Sequence, residues 1–130
     1  KRRCLIPVDG FYEWQKVGKE KRPLFFSLKS GRPFGLAGLY ETWVSPEKGR
    51  VHTCTIVTTD ANDLIRPIHD RMPAILPRDK EAAWLDPHND NPALLSALLK
   101  PYPAEEMVLS GVDANMFPRP LNTGTPSQGR

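Results

Sequence analysis

Cysteine is scarce in this 130-residue sequence, with only Cys4 and Cys54 present. Two cysteines are too few for a disulfide scaffold, and their spacing matches no zinc motif. A reducing, intracellular setting is therefore expected. Apolar runs are short, and none approaches the roughly 20 residues that span a bilayer. No basic-then-apolar leader opens the chain, so neither a signal peptide nor a membrane partner is expected. There is no P-loop, no GxGxxG and no GxSxG elbow, which removes the commonest phosphate-cradling and serine-nucleophile readings. The histidines at 52, 69 and 88 have no metal-ligand spacing with the cysteines, so no metal and no cofactor are expected.

The residues present point to a folded domain. Hydrophobic residues make up 39% and charged residues 25%, a balance that supports a core and not a disordered chain. Fourteen prolines, about twice the average proportion, argue against long helices. The chain opens at Lys1 without a methionine, and its first ten residues already read as a core strand, so the opening is expected to be a cut edge. The net charge of +3 is unevenly placed. Residues 1–50 carry eleven Lys and Arg against five Asp and Glu, and residues 51–130 carry seven against ten. The basic half suits a polyanion. Lys16, Lys19, Lys21 and Arg22 flank Gly18 and are better explained as a solvated hairpin tip, whereas Lys1, Arg2 and Arg3 abut an apolar strand.

Strands are expected over residues 5–8 and 11–14, separated by Asp9-Gly10, and over 23–28, 34–43, 51–59 and 72–76. Gly35 and Gly38 inside the fourth run predict a bulge or the close approach of another backbone. Thr59 or Asp60 is expected to cap a short helix over 61–66 that Pro67 ends. Further helices are expected over 78–85, with Asp79 and Glu81 near the positive end, and over 92–99, capped by Asn91 with Pro92 at its first position. Residues 107–112 return as a strand. The Pro, Gly, Ser, Thr and Asn of residues 117–130 read as a tail, leaving one domain over 1–116. The pattern is α+β, with a largely antiparallel, strongly curved sheet and short helices.

Three segments carry candidate chemistry. In Gly10-Phe11-Tyr12-Glu13-Trp14, alternation puts Glu13 on the face of Phe11, opposite Tyr12 and Trp14. A carboxylate beside apolar surface is poised for acid–base work; the competing reading is a solvated or Arg-paired strand carboxylate, and spacing alone favours it. In Pro67-Ile68-His69-Asp70-Arg71-Met72-Pro73, two prolines restrict a segment holding an imidazole, which can shuttle protons, and a guanidinium, which can grip a phosphate. A structural Asp70–Arg71 corner is the alternative. In Thr58-Thr59-Asp60, hydroxyls before a helix start suit an anion or simple capping, of which capping is the simpler.

Taken together and in order, RRCLIPVDGFYEWQ, FGLAGLYETW and TIVTTDANDLIRPIHDRMPAIL resemble the SOS response-associated peptidase family, the SRAP domain. The resemblance is close over residues 1–85 and loose from Pro87 onward; Val112-Asp113-Ala114-Asn115 departs from the family's Val-Asn pair. It implies a pseudo-barrel of β-sheets with peripheral helices. It also implies a DNA-damage response protein acting on single-stranded DNA that contains abasic sites; a monomer is expected. In the family an N-terminal cysteine reacts with the ring-opened sugar: its α-amine, ordinarily titrating at roughly 7.7–8, forms a Schiff base and its thiol closes a thiazolidine. The same cysteine is implied in autoproteolytic processing of the N-terminus.

The resemblance gives Glu13 and His69 catalytic proton-transfer roles. Arg71 and Thr58 match positions at the DNA backbone, and Arg2 and Arg3 match a basic pair assigned to the DNA-facing surface. The nucleophilic cysteine is absent from this sequence, so the chain alone is expected to be inactive. The alternatives are a non-catalytic single-stranded DNA-binding module and a peptidase acting in trans. The expected location is the bacterial cytoplasm at the nucleoid, or the nucleus in a eukaryote.

Overall fold

The computed structural model describes residues 2–111. Three antiparallel sheets surround two neighbouring apolar clusters. The first sheet is built on β4 (Phe34–Ser45), whose one edge pairs with β1 (Arg2–Val8). Its other edge pairs with β5 (Gly49–Ile56) along the far half and with β8 (Ile75–Leu76) at Gly35 and Leu36. The second sheet has the order β2 (Phe11–Val17), β3 (Glu20–Leu28), β9 (Met107–Gly111), and the third is the ribbon of β6 (Thr58–Asp60) and β7 (Arg71–Pro73). No closed barrel forms among the described residues, and the sheets are compatible with the expected pseudo-barrel.

The Asp9-Gly10 step is a bend, not a hairpin. It sends the chain from β1 in the first sheet to β2 in the second. The β2–β3 hairpin turns at Gly18, whose φ of 62° favours glycine, so the basic quartet does sit at a hairpin tip. At Gly38 a Cβ would lie 2.8 Å from Cys4 Sγ and 2.9 Å from Ile6 Cδ1. The glycine is there because side chains of β1 cross over β4.

Two expected strands are each divided. Residues 51–59 break at Val57 and residues 72–76 break at Ala74, where the chain changes sheets. Val57 N–H donates to Ala37 O at 2.9 Å, Ala37 N–H to Ala74 O at 2.8 Å, and Ala74 N–H to Val57 O at 2.8 Å. This three-way exchange joins the first sheet to the ribbon and satisfies backbone groups that neither ladder reaches.

The expected helix over 61–66 is replaced by turns. Asn62, 7% exposed, accepts from Leu64 N–H and Ile65 N–H through Oδ1, both at 3.1 Å. Its Nδ2 donates to Tyr102 O at 2.7 Å. Neither expected cap acts as one. Thr59 Oγ1 donates to Leu99 O at 2.8 Å, and the Asp60 carboxylate accepts from Arg71.

The later helices match expectation more closely. A 3-10 turn at Arg78–Lys80 leads into α1 (Glu81–Leu85), and α2 (Pro92–Leu98) is capped by Asn91, whose Oδ1 accepts from Ala93 N–H at 3.0 Å. One cluster holds Phe26, Phe34, Leu36, Ile65, Met72, Ile75 and Met107. The other centres on Ala37, Ala74, Leu76 and Trp84, with leucines of β1, β4 and α2 against it. The expected tail and the 112–115 departure lie outside the described residues.

Candidate functional site

Glu13 lies on the inner face of β2. The strand alternates half-buried Phe11, Glu13 and Gln15 with exposed Tyr12, Trp14 and Lys16, as the period of two requires. Phe11 stacks on buried Phe26 with ring centroids 5.5 Å apart. The opposite strand places Leu24 across from Glu13. The carboxylate is thus carried by a strand fixed by aromatic packing, next to apolar surface.

His69 is held by the turn that Asn62 organises. Ile65 O accepts from His69 N–H at 2.9 Å, and Ile65 is itself fully buried. Ile65 and Ile68 pack in or against the same apolar cluster as Phe11, so the segments bearing Glu13 and His69 rest on one core. The imidazole is about half exposed. Its Nδ1 lies 3.1 Å from both Arg71 N and Arg71 O, and 3.5 Å from Asp70 Oδ1. The Arg71 amide can donate to an unprotonated Nδ1; the Arg71 carbonyl and the Asp70 carboxylate can receive a protonated one. Both protonation states therefore keep a partner at Nδ1, with Nε2 on the other side of the ring.

Arg71 does not form the Asp70 corner considered from the sequence. Its Nη1 donates to Asp60 Oδ1 at 2.7 Å, and its Nη2 to Thr58 O at 3.0 Å and Thr58 Oγ1 at 3.3 Å. The β6–β7 register puts Arg71 directly opposite Asp60 and makes this possible. Arg71 remains 46% exposed and Asp60 85%, so the contact orients the guanidinium at the surface without burying it. Thr58, Arg71 and His69 are brought together on one ribbon and the turn that enters it.

Arg2 and Arg3 part company. Arg2 is exposed at the start of β1. Arg3 is turned inward: its Nε donates to Trp84 O, and its Nη2 to Asp86 O and Asn89 O, all at 2.6 Å. The guanidinium also sits 5.6 Å from the Trp84 ring centroid. This corrects the expected surface role for Arg3. Carbonyls at and beyond the end of α1 need donors and favour a cation, and Arg3 meets that need.

Sequence reasoning missed Asn62 and the Trp84 corner. An Asn after Thr-Thr-Asp-Ala reads equally as a helix residue, and its role as a turn organiser depends on Tyr102, forty positions away.

Comparisons of the whole chain with known proteins give its family. The family model described as "SOS response associated peptidase (SRAP)" matches residues 1–117. The chain is 50% identical over 107 residues to "Abasic site processing protein YoqW" of Bacillus subtilis, covering 82% of this chain and 48% of that protein. It is 34% identical over 104 residues to "Abasic site processing protein HMCES" of Xenopus tropicalis, covering 65% of this chain and 31% of that protein. A crystal structure of a Bacteroides thetaiotaomicron protein matches with a TM-score of 0.82 and 35% identity, over 88% of this chain and 51% of that one. The chain spans about half the length of the closer curated relatives it matches. It belongs to the SOS response-associated peptidase (SRAP) family.

Proposed function

We propose that this chain is part of a protein that processes abasic sites in single-stranded DNA by forming a covalent DNA–protein crosslink. The observation that carries the reading is His69. Its Nδ1 has a backbone partner in either protonation state, which suits a group that gives and takes a proton at Nε2. The names of the relatives supply the substrate class.

As the family resemblance implies, the nucleophile is an N-terminal cysteine. Its neutral α-amine adds to the sugar aldehyde and water leaves to give the imine; the thiol then adds to the imine carbon and closes a thiazolidine. Cys4 is not that group, because its nitrogen is a peptide amide within β1. His69 and Glu13 would move the protons of ring opening, water loss and reversal. Arg71, held by Asp60 and Thr58, would offer its exposed edge to a phosphate, and exposed Arg2 would add positive charge to the surface that meets DNA.

The test is a chain of the relatives' full length mixed with an abasic single-stranded oligonucleotide and run on a denaturing gel. A slower band that disappears when the N-terminal cysteine becomes alanine is expected. No such band, or one indifferent to that change, rejects the reading.

A further inference from the structure

The short helix α2 carries no charged residue. Its Leu95 and Leu98 pack against the second apolar cluster, as does Leu99 just beyond it. Leu94 belongs to neither cluster and is 58% exposed. It lines a cleft of about 630 Å³ between α1, α2 and residues 100–103. Ile75, Ala97, Leu98, Pro101 and Pro103 complete the apolar wall. Sites for small molecules typically measure about 300–1,000 Å³ and are mostly apolar, with a few polar groups that fix orientation.

The segment that closes one side is tied down from outside the cleft. Thr59 Oγ1 donates to Leu99 O at 2.8 Å, and Asn62 Nδ2 to Tyr102 O at 2.7 Å. The wall is therefore built by the fold before anything enters. Four polar residues line the cleft: Lys80, Asn89, Lys100 and Tyr102. Asn89 is already engaged, with its Nδ2 on Ala83 O at 3.3 Å and its carbonyl on Arg3. Tyr102 rests its ring on the first cluster. Burial, and then the charge of Glu106, hold the proton on its phenol, which leaves it a hydrogen-bond donor at neutral pH. Lys80 and Lys100 are exposed, and among the described residues neither is in an ion pair. No carboxylate lines the cleft. A lysine can lay its stem along such a wall and keep its ammonium at the rim.

We propose that this cleft binds a small amphipathic monocarboxylate, with its apolar body against Leu94, Leu98 and Ile75 and its carboxylate at Lys80 and Lys100. The unpaired lysines select a negative head over a neutral or positive one. The charge of Glu106, felt at Tyr102, opposes a second negative charge, so the class is a monoanion.

The probe is decanoate, titrated calorimetrically into a chain of the relatives' full length. One decanoate per chain should bind, with a Kd of about 1 mM or tighter. Decanol should bind about tenfold more weakly, and decylamine more weakly still. Lys80→Gln with Lys100→Gln should bring decanoate down to the decanol value. Leu94→Glu puts a carboxylate in the cleft from an exposed position, so the urea midpoint should hold while decanoate binding is lost. Ala97→Trp, also from an exposed position, should fill the cleft and do the same. Vesicles of anionic phospholipid should leave decanoate binding unchanged, because the acid is held as a free molecule. The proposal is overturned by a full-length chain that takes up no decanoate, by decanol binding as tightly as decanoate, by uptake that is indifferent to both Leu94→Glu and Ala97→Trp, or by vesicles that displace decanoate.

Discussion

Two arginines that look alike in the sequence meet opposite fates in the fold. Arg3 is half-buried and turned against the fold, with three carbonyl acceptors at and beyond the end of α1 and the Trp84 ring beside it. Trp84 in turn donates its indole N–H to Cys4 O at 2.9 Å, so β1 and α1 are stitched from both sides. Arg71 lies at the surface, steered by Asp60 and Thr58 and still about half exposed. One positive charge is consumed in building the fold, while the other is oriented and left accessible. A basic stretch is therefore a poor guide to a binding surface until the acceptors around each guanidinium are known.

The largest effect is expected on the Arg71 side, in the chemistry. On a chain of the relatives' full length, His69→Ala and Glu13→Gln should each slow crosslinking or its reversal by about a hundredfold. Binding of an intact single-stranded oligonucleotide should change little. A rate equal to wild type, followed by quenched gel time courses, would remove these two side chains from the mechanism and with them the functional contrast between the two corners.

Stability changes come next, and they should be largest at two anchors, half-buried Arg3 and buried Asn62. Arg3→Ala strips three charge-assisted hydrogen bonds from helix-end carbonyls and should cost about 2–4 kcal/mol in urea unfolding. Arg3→Lys keeps the charge but not the fork, and should recover only part. Asn62→Ala removes the side-chain partner of the Leu64 amide and of the Tyr102 carbonyl, while the Ile65 amide keeps the Asn62 carbonyl, at about 2–3 kcal/mol. Were Arg3→Ala neutral in stability yet damaging to DNA binding, the assignment of Arg3 to the fold would be wrong.

How legible was this in the sequence? The aromatic alternation of β2 gave the facing of Glu13, and Asn91-Pro92 gave the start of α2, because both depend on neighbours within one turn or one pleat. Gly38 was legible as a site of close approach, though not that Cys4 was the side chain approaching. The failures share a cause. The 61–66 segment has a helix-like opening, but Asn62 is bonded to Tyr102 and its turn rests on a core built from several strands. Strands 51–59 and 72–76 read as continuous because the change of sheet at Val57 and Ala74 is set by Ala37, on another strand. Arg3 needed acceptors more than eighty residues away. Local chemistry was readable; partners distant in sequence were not.

Arg71→Ala should mirror Arg3→Ala in every respect. An exposed ion pair such as Arg71–Asp60 is worth about 0–1 kcal/mol, so unfolding should shift little. Affinity for single-stranded DNA should fall, and the slope of log affinity against log salt should shrink by about one phosphate contact. An unchanged salt slope would show that the exposed guanidinium edge does not meet the backbone.

The smallest expected effect is alkaline, and it separates the corners by pH. Cys4 belongs to the Arg3 corner, and its thiol titrates above its ordinary 9.0, first through burial and then through Cys54. Tyr102 belongs to the Asn62 turn, and its phenol titrates above its ordinary 10.0, first through burial and then through the negative charge of Glu106. Each group is neutral when protonated, and each holds its proton more tightly folded than unfolded. Its contribution is thus fully present below the unfolded value and is lost as pH rises through the folded one. Stability should decline in two overlapping steps, the first beginning above pH 9 and the second above pH 10. Cys4→Ser should flatten the earlier step and Tyr102→Phe the later, as measured by urea midpoints across that range. If Cys4→Ser leaves the early slope intact, the thiol is not the group that couples the Arg3 corner to pH.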